Sequence, residues 1–132
     1  MVSRLEMVLK ELNDNGDFSI SLFCTATGLV LASAKGEVED DKTIAAMGSL
    51  LSDAAYKAAE ELSLKDLDSL KLKFSEKIIL MRNLIMDDGE TQFILAVLAP
   101  VPDSEDVEKY YDQLLDWAVE NAYDDLKKLS SI

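Results

Sequence analysis

Residues 77–99, KIILMRNLIMDDGETQFILAVLA, set the tightest limit on how this chain can fold. Two apolar runs flank Asp87-Asp88-Gly89-Glu90, a hairpin turn. In the first run Ile79, Met81 and Ile85 alternate with Ile78, Leu80 and Leu84, so both faces of the strand are apolar. The second run, residues 91–99, has the same character. Antiparallel strands that are apolar on both sides must lie centrally in a sheet with helices above and below it. Just upstream, Leu70, Leu72 and Phe74 alternate with Ser69, Lys71, Lys73 and Ser75, a third strand with one polar face.

The helices that supply this cover are legible on either side. Ser3 and Glu6 have capping-box spacing, and Leu5, Val8, Leu9 and Leu12 follow at helical intervals until residues 13–17 stop the helix. Phe18, Ile20, Leu22 and Cys24 alternate with Ser19, Ser21 and Phe23; residues 25–28 turn the chain, and residues 29–34 return as a second strand. An acidic loop over 36–41 ends in an N-cap at Asp40 or Asp41. After the sheet, Pro100 and Pro102 break the chain, and Asp103 or Ser104 caps a helix over about 103–130. Val107, Tyr111, Leu114, Ala118, Ala122 and Leu129 form its apolar stripe. The element order is α-β-β-α-β-β-β-α, an α/β (α+β type) chain in three α/β/α layers. Its 132 residues make one domain, 1–132, with an extended last helix.

Residues 42–62 carry the most information about function. Ile44, Met47, Leu51, Ala54, Ala58 and Leu62 share one helical face, and Ala45, Gly48, Ser52, Ala55 and Ala59 form an adjoining face of small residues. Asp53, Lys57 and Glu60 mark the polar side. The combined apolar and small arc is wider than one packed layer needs. A face of small residues lets another helix approach closely, which suits a helix meeting its own copy across a two-fold axis.

Charge and missing residues narrow the chemistry. Thirteen Lys and Arg against 26 Asp and Glu leave a net charge of −13, which repels nucleic acid and anionic membrane surfaces. With no histidine there is no Ser-His or Cys-His nucleophile and no imidazole metal ligand. Cys24 stands alone, so no intramolecular disulfide forms, and its place in a strand is that of a core residue. The five glycines never cluster into a phosphate-cradling loop. The acidic doublets Asp40-Asp41, Asp87-Asp88 and Asp124-Asp125 sit at caps, turns and helix ends, where carboxylates solvate and cap. Arg82 lies in an otherwise apolar strand and reads as a structural ion-pair partner, while Arg4 has Glu6 as a neighbour. No apolar run reaches the ~20 residues of a membrane span. These features predict no catalytic residues, no cofactor, no metal and a cytoplasmic location.

The sequence resembles the roadblock/dynein light chain domain. The likeness is carried by the first-helix run 5–12, the hairpin ISLFCTATGLVLAS (20–33), the helix IAAMGSLLSDAAYKAAEEL (44–62) and the strand pair 77–99. It implies a five-stranded antiparallel sheet with the middle helix on one face and both terminal helices on the other. It also implies a two-fold dimer made by the middle helix and the third strand, here through Ala45, Gly48, Leu51, Ser52, Ala55, Ala59, Leu72 and Phe74. Lys71 and Lys73 oppose such strand pairing unless the register sets them against Glu76 or Asp68. The family holds Ras-like small GTPases, which implies a homodimer, or a heterodimer with a paralogue, presenting Ser49, Asp53, Tyr56, Lys57 and Glu60 as a GTPase-binding platform. A structural adaptor indifferent to nucleotide state is the alternative, and a small-molecule sensor with an apolar pocket is a third reading.

Overall fold

The computed structural model describes residues 3–36 and 40–131. Its elements run α1 (Arg4–Gly16), β1 (Ile20–Thr25), β2 (Val30–Lys35), α2 (Asp41–Leu62), β3 (Ser69–Lys73), β4 (Lys77–Ile85), β5 (Gln92–Pro100) and α3 (Glu105–Ser130). The five strands form one antiparallel sheet in the order β2-β1-β5-β4-β3. The acidic loop expected at 36–41 falls partly outside the described residues.

Two cores lie on opposite faces of the sheet. Phe23, Leu80, Leu84, Phe93, Leu95 and Val97 point toward α1 and α3, where they meet Leu9, Leu12, Leu115, Ala118, Ala122 and Leu126. Ile20, Leu22, Cys24, Ile79, Met81, Ile94 and Ala96 point toward α2, where they meet Ile44 and Ala45. The double-faced strands thus occupy the centre of a three-layer sandwich, as their composition requires. β1 is also buried on both sides, because α1 and α3 cover the face of Phe23 and α2 covers that of Ile20, Leu22 and Cys24. Phe18 does not share a face with Ile20. It packs in the α1–α3 core and meets Tyr111 edge-on with centroids 5.0 Å apart, because the left-handed turn at Asp17 (φ 56°) reorients the chain before β1 begins.

Several local readings need correction. α1 continues through Asn13, Asp14 and Asn15 to Gly16, since Asp17 can take the left-handed C-cap itself. Ser104 is the N-cap of α3, which buries Leu115 and Leu126, while Leu129 remains 39% exposed. Because Leu126 is fully buried, the extended helix lies on the domain almost to its end. Ion pairs hold it there. Arg82 on β4 reaches Asp112 and Asp116, and Lys71 on β3 reaches Glu108 at 3.2 Å and Asp112 at 3.7 Å. Arg4 pairs with Asp125 at 3.2 Å, joining α1 to α3 in place of the expected contact with Glu6.

Candidate functional site

The middle helix begins where Asp40 caps it. One carboxylate oxygen accepts from the amides of Lys42 and Thr43 at 3.1 and 3.2 Å, and the other from the Thr43 hydroxyl at 2.7 Å. These donors hold the Asp40 carboxyl below the usual carboxylate range. Asp41 fastens the first turn to β2 by accepting from Lys35 Nζ at 3.0 Å and Ser33 Oγ at 2.9 Å, and its pKa is lowered by the same two donors. A turn later the β1–β2 hairpin docks onto the helix. Gly28 (φ 92°) approaches so closely that a Cβ there would stand 3.3 Å from the Ala45 carbonyl oxygen.

The face that α2 lays on its own sheet is the small one. Ala45 is fully buried, Ser52 is 6% exposed, and Gly48 is buried beneath Met81 and Ile94, with Ala55 and Ala59 half-buried behind them. A Cβ on Gly48 would lie 3.3 Å from Met81 Sδ. Ala45, Gly48 and Ser52 are therefore not available to a second copy, which corrects the expected interface. Small side chains bring the helix down onto the sheet of the same chain.

The opposite face carries the exposed apolar groups. Leu50 is 70% exposed there with Ala46 and Ala54 open beside it, while Ala58 and Leu62 (67%) are exposed farther round the helix, toward the side of Ile44 and Leu51. Met47 and Leu51 are half-buried on one flank of this stripe. They pack against the same core as Leu70, Leu72 and Leu98, also half-buried. This happens because α2 packs chiefly over β1, β2 and β5 and leaves the β3 side of the sheet less covered. Past the end of edge strand β3, Phe74 is 56% exposed. Half-buried Met47 and Leu51 on the helix and Leu70 and Leu72 on β3 pack against one core between these exposed groups. Lys71 turns to the other face of the sheet, toward Glu108 and Asp112 of its own chain, so the feared clash narrows to Lys73.

The five expected platform residues divide. Asp53, Lys57 and Glu60 are exposed. Ser49 Oγ donates to the Ala26 carbonyl at 2.8 Å, and the Tyr56 hydroxyl accepts from Asn83 Nδ2 at 2.6 Å. Those two pin the hairpin and β4 to the helix. Leu50 is the residue that periodicity missed, and a lone large apolar side chain among the charged positions was the available signal.

Other chemistry is sparse. The Cys24 thiol is fully buried and pushed up to about 12 by burial. Among the described residues no three His, Cys, Asp or Glu side chains stand close enough to hold a metal ion, and no helix is long and apolar enough to cross a membrane. Asp87 accepts from the Tyr123 hydroxyl and from Lys127, while Asp88 accepts from the amides of Glu90 and Thr91, closing the β4–β5 turn. The crevice between α2 and β3, lined by Ser52, Leu70, Met81 and Ile94, is too narrow to admit a water molecule.

Comparison with solved structures decides the architecture. Myxococcus xanthus MglB superposes with a TM-score of 0.79 at 12% identity, over 96% of this chain and 97% of that one. A Roadblock/LC7 domain from Streptomyces avermitilis also gives 0.79, at 15% identity over 95% and 99%. The chain has the roadblock/LC7 fold. A gliding protein, MglB of Thermus thermophilus, gives 0.65 at 16% identity over 90% of each chain. No protein-family model and no curated protein matches the chain. The roadblock likeness thus lies in backbone and layer order.

Proposed function

We propose that this roadblock-fold protein works as a homodimer that binds a Ras-like small GTPase and modulates its nucleotide cycle without a catalytic group of its own. The observation that carries this reading is that large apolar side chains stand exposed on and beside neighbouring elements, Leu50 and Leu62 on α2 and Phe74 beside β3. Exposed large apolar side chains grouped on neighbouring elements mark an interaction surface, and a second copy placed there would bury both sets at once. In that dimer Met47, Leu50, Leu51, Leu72 and Phe74 replace the small residues as the contact set. Asp53, Lys57 and Glu60 then flank the joined helices as the groups that meet the GTPase.

The disposition of the arginines supports regulation by positioning. Arg82 is held by Asp112 and Asp116, and Arg4 by Asp125, so neither is poised to reach a partner's phosphates. The test is capture from the source lysate on immobilised protein, run in parallel with a non-hydrolysable GTP analogue and with GDP, on wild type and on Lys57→Glu. A small GTPase retained in one nucleotide state, and lost from the variant, supports the proposal. Equal retention in both states turns the reading to an adaptor. Retention of no GTPase overturns it.

A further inference from the structure

We propose that the groove between α1 and α3 is a docking site for a basic amphipathic segment of a partner protein. It lies on the face of the sheet away from α2, and the inference stands apart from the GTPase reading. α1 and α3 bury Leu5, Leu9, Leu12, Leu115 and Leu126 against the sheet, yet on their outer side they leave a depression of about 400 Å³. Its walls are Arg4, Met7, Val8, Glu11, Trp117 and Asn121. Met7 is 59% exposed, and Trp117 is half-buried with its inner part against the core. A large thioether and an indole facing one open groove make an apolar seat for a single bulky side chain.

The rim selects the charge of the occupant. Arg4 is neutralised by Asp125, whereas Glu11, Glu120 and Asp124 have no ion-pair partner among the described residues. Past Arg4 the groove continues into a polar depression of about 470 Å³ in which Glu120, Asp124 and Asp125 outnumber Arg4 and Lys128. A second copy would bring like charge to like, since α3 alone carries eight carboxylates against three lysines. Anionic lipid is repelled for the same reason. The complementary partner is a helical segment with one large apolar residue seated between Met7 and Trp117. Lysine or arginine a turn to either side would meet the three carboxylates and stack on the indole. Because the two surfaces lie on opposite sides of the sheet, docking leaves the α2 face free.

Trp117 is the only tryptophan, so its emission reports on the groove directly. The probe is a Trp-free, 15-residue amphipathic peptide with a Leu-Phe-Leu stripe flanked by lysine and arginine. Its control carries glutamate at every basic position. The expected result is a saturable blue shift and reduced acrylamide quenching with the basic peptide alone, weakened about tenfold or more by Met7→Asp. The triple change Glu11→Lys, Glu120→Lys, Asp124→Lys should abolish it. All four positions are exposed, so melting curves check that each variant is folded. Equal binding of the acidic peptide, or binding that Met7→Asp leaves unchanged, overturns the proposal. So does self-association of the wild type that Met7→Asp abolishes, because the occupant is then a second copy.

Discussion

Replacing Gly48 by valine separates the two faces of α2 cleanly. A Cβ at this position already stands 3.3 Å from Met81 Sδ and 3.8 and 3.9 Å from two carbons of Ile94. Met81 and Ile94 are 3% and 1% exposed, so the two further carbons of valine have no room to enter. Overpacking of this kind costs about 1–3 kcal/mol. Valine recovers roughly 0.3 kcal/mol of helix propensity relative to glycine. The net expectation is a loss of about 2 kcal/mol, or a fall in Tm of roughly 6–10 °C for a domain of this size. Urea and thermal melts at fixed protein concentration measure it, with the dimer dissociation constant followed in parallel. Gly48→Ala is the internal control. Its gain of about 1 kcal/mol in propensity opposes one tight contact that the flexible methionine can relieve, so it should stay within about 1 kcal/mol of wild type. If Gly48→Val leaves Tm within about 2 °C but weakens the dimer, the glycine faces a partner and the assignment of faces is wrong.

Other perturbations probe other parts of the molecule. Arg82→Met should lower urea stability by about 1 kcal/mol, less in high salt, since Asp112 and Asp116 are themselves 40% and 63% exposed; no change would mean these ion pairs do not hold α3. The Asp88 carboxyl lies below the usual carboxylate range, first because it accepts from the Thr91 hydroxyl. A depressed pKa gives stability that is present above about pH 4 and lost as pH falls through the folded value. The stability gap between wild type and Asp88→Asn should therefore shrink on acidification below about pH 4, and a gap independent of pH would refute the assignment. Cys24, fully buried and raised to about 12, should react with an aromatic disulfide reagent at pH 8 only as fast as the domain opens, and promptly in denaturant. Prompt reaction in the native protein would contradict its burial.

The order of all eight elements was legible because each rests on local physics: double-faced strands, turn residues, caps and helical spacing. What periodicity could not supply was rotation. It showed that Ala45, Gly48 and Ser52 share a face, but not whether the sheet or a second helix takes that face. Close helix–sheet approach and close helix–helix approach both select small residues, and the sheet won. Leu50 was hidden for the same reason, since its position among Asp53 and Lys57 read as solvated surface. On α3, Leu126 and Leu129 both fit a 3.6-residue stripe, and the direction of the helix over the sheet chose Leu126. Long-range ion pairs such as Arg4–Asp125 and Lys71–Glu108 leave no trace in local spacing, and they reversed the expectation that the β3 lysines oppose a partner together. At the candidate site, alternation put Phe74 on the apolar face of its strand and only the structure shows it exposed, and the commitment of Ser49 and Tyr56 to their own chain depended on where the hairpin and β4 lie.

The central claim is that the outer face of α2 and the β3 edge join two copies. Sedimentation velocity of wild type and Leu50→Glu, from low to high micromolar concentration, tests it most directly. Fully burying a leucine is worth about 1.5–3 kcal/mol, so a side chain left 70% exposed in the single chain loses about 2 kcal/mol per copy when made polar. The two-fold axis doubles this to about 4 kcal/mol, a roughly thousand-fold weaker dimer before the penalty for burying two carboxylates. Wild type should sediment at twice the chain mass and Leu50→Glu at single mass with an intact circular dichroism spectrum. A wild type that stays monomeric throughout, or a variant that remains dimeric, contradicts it.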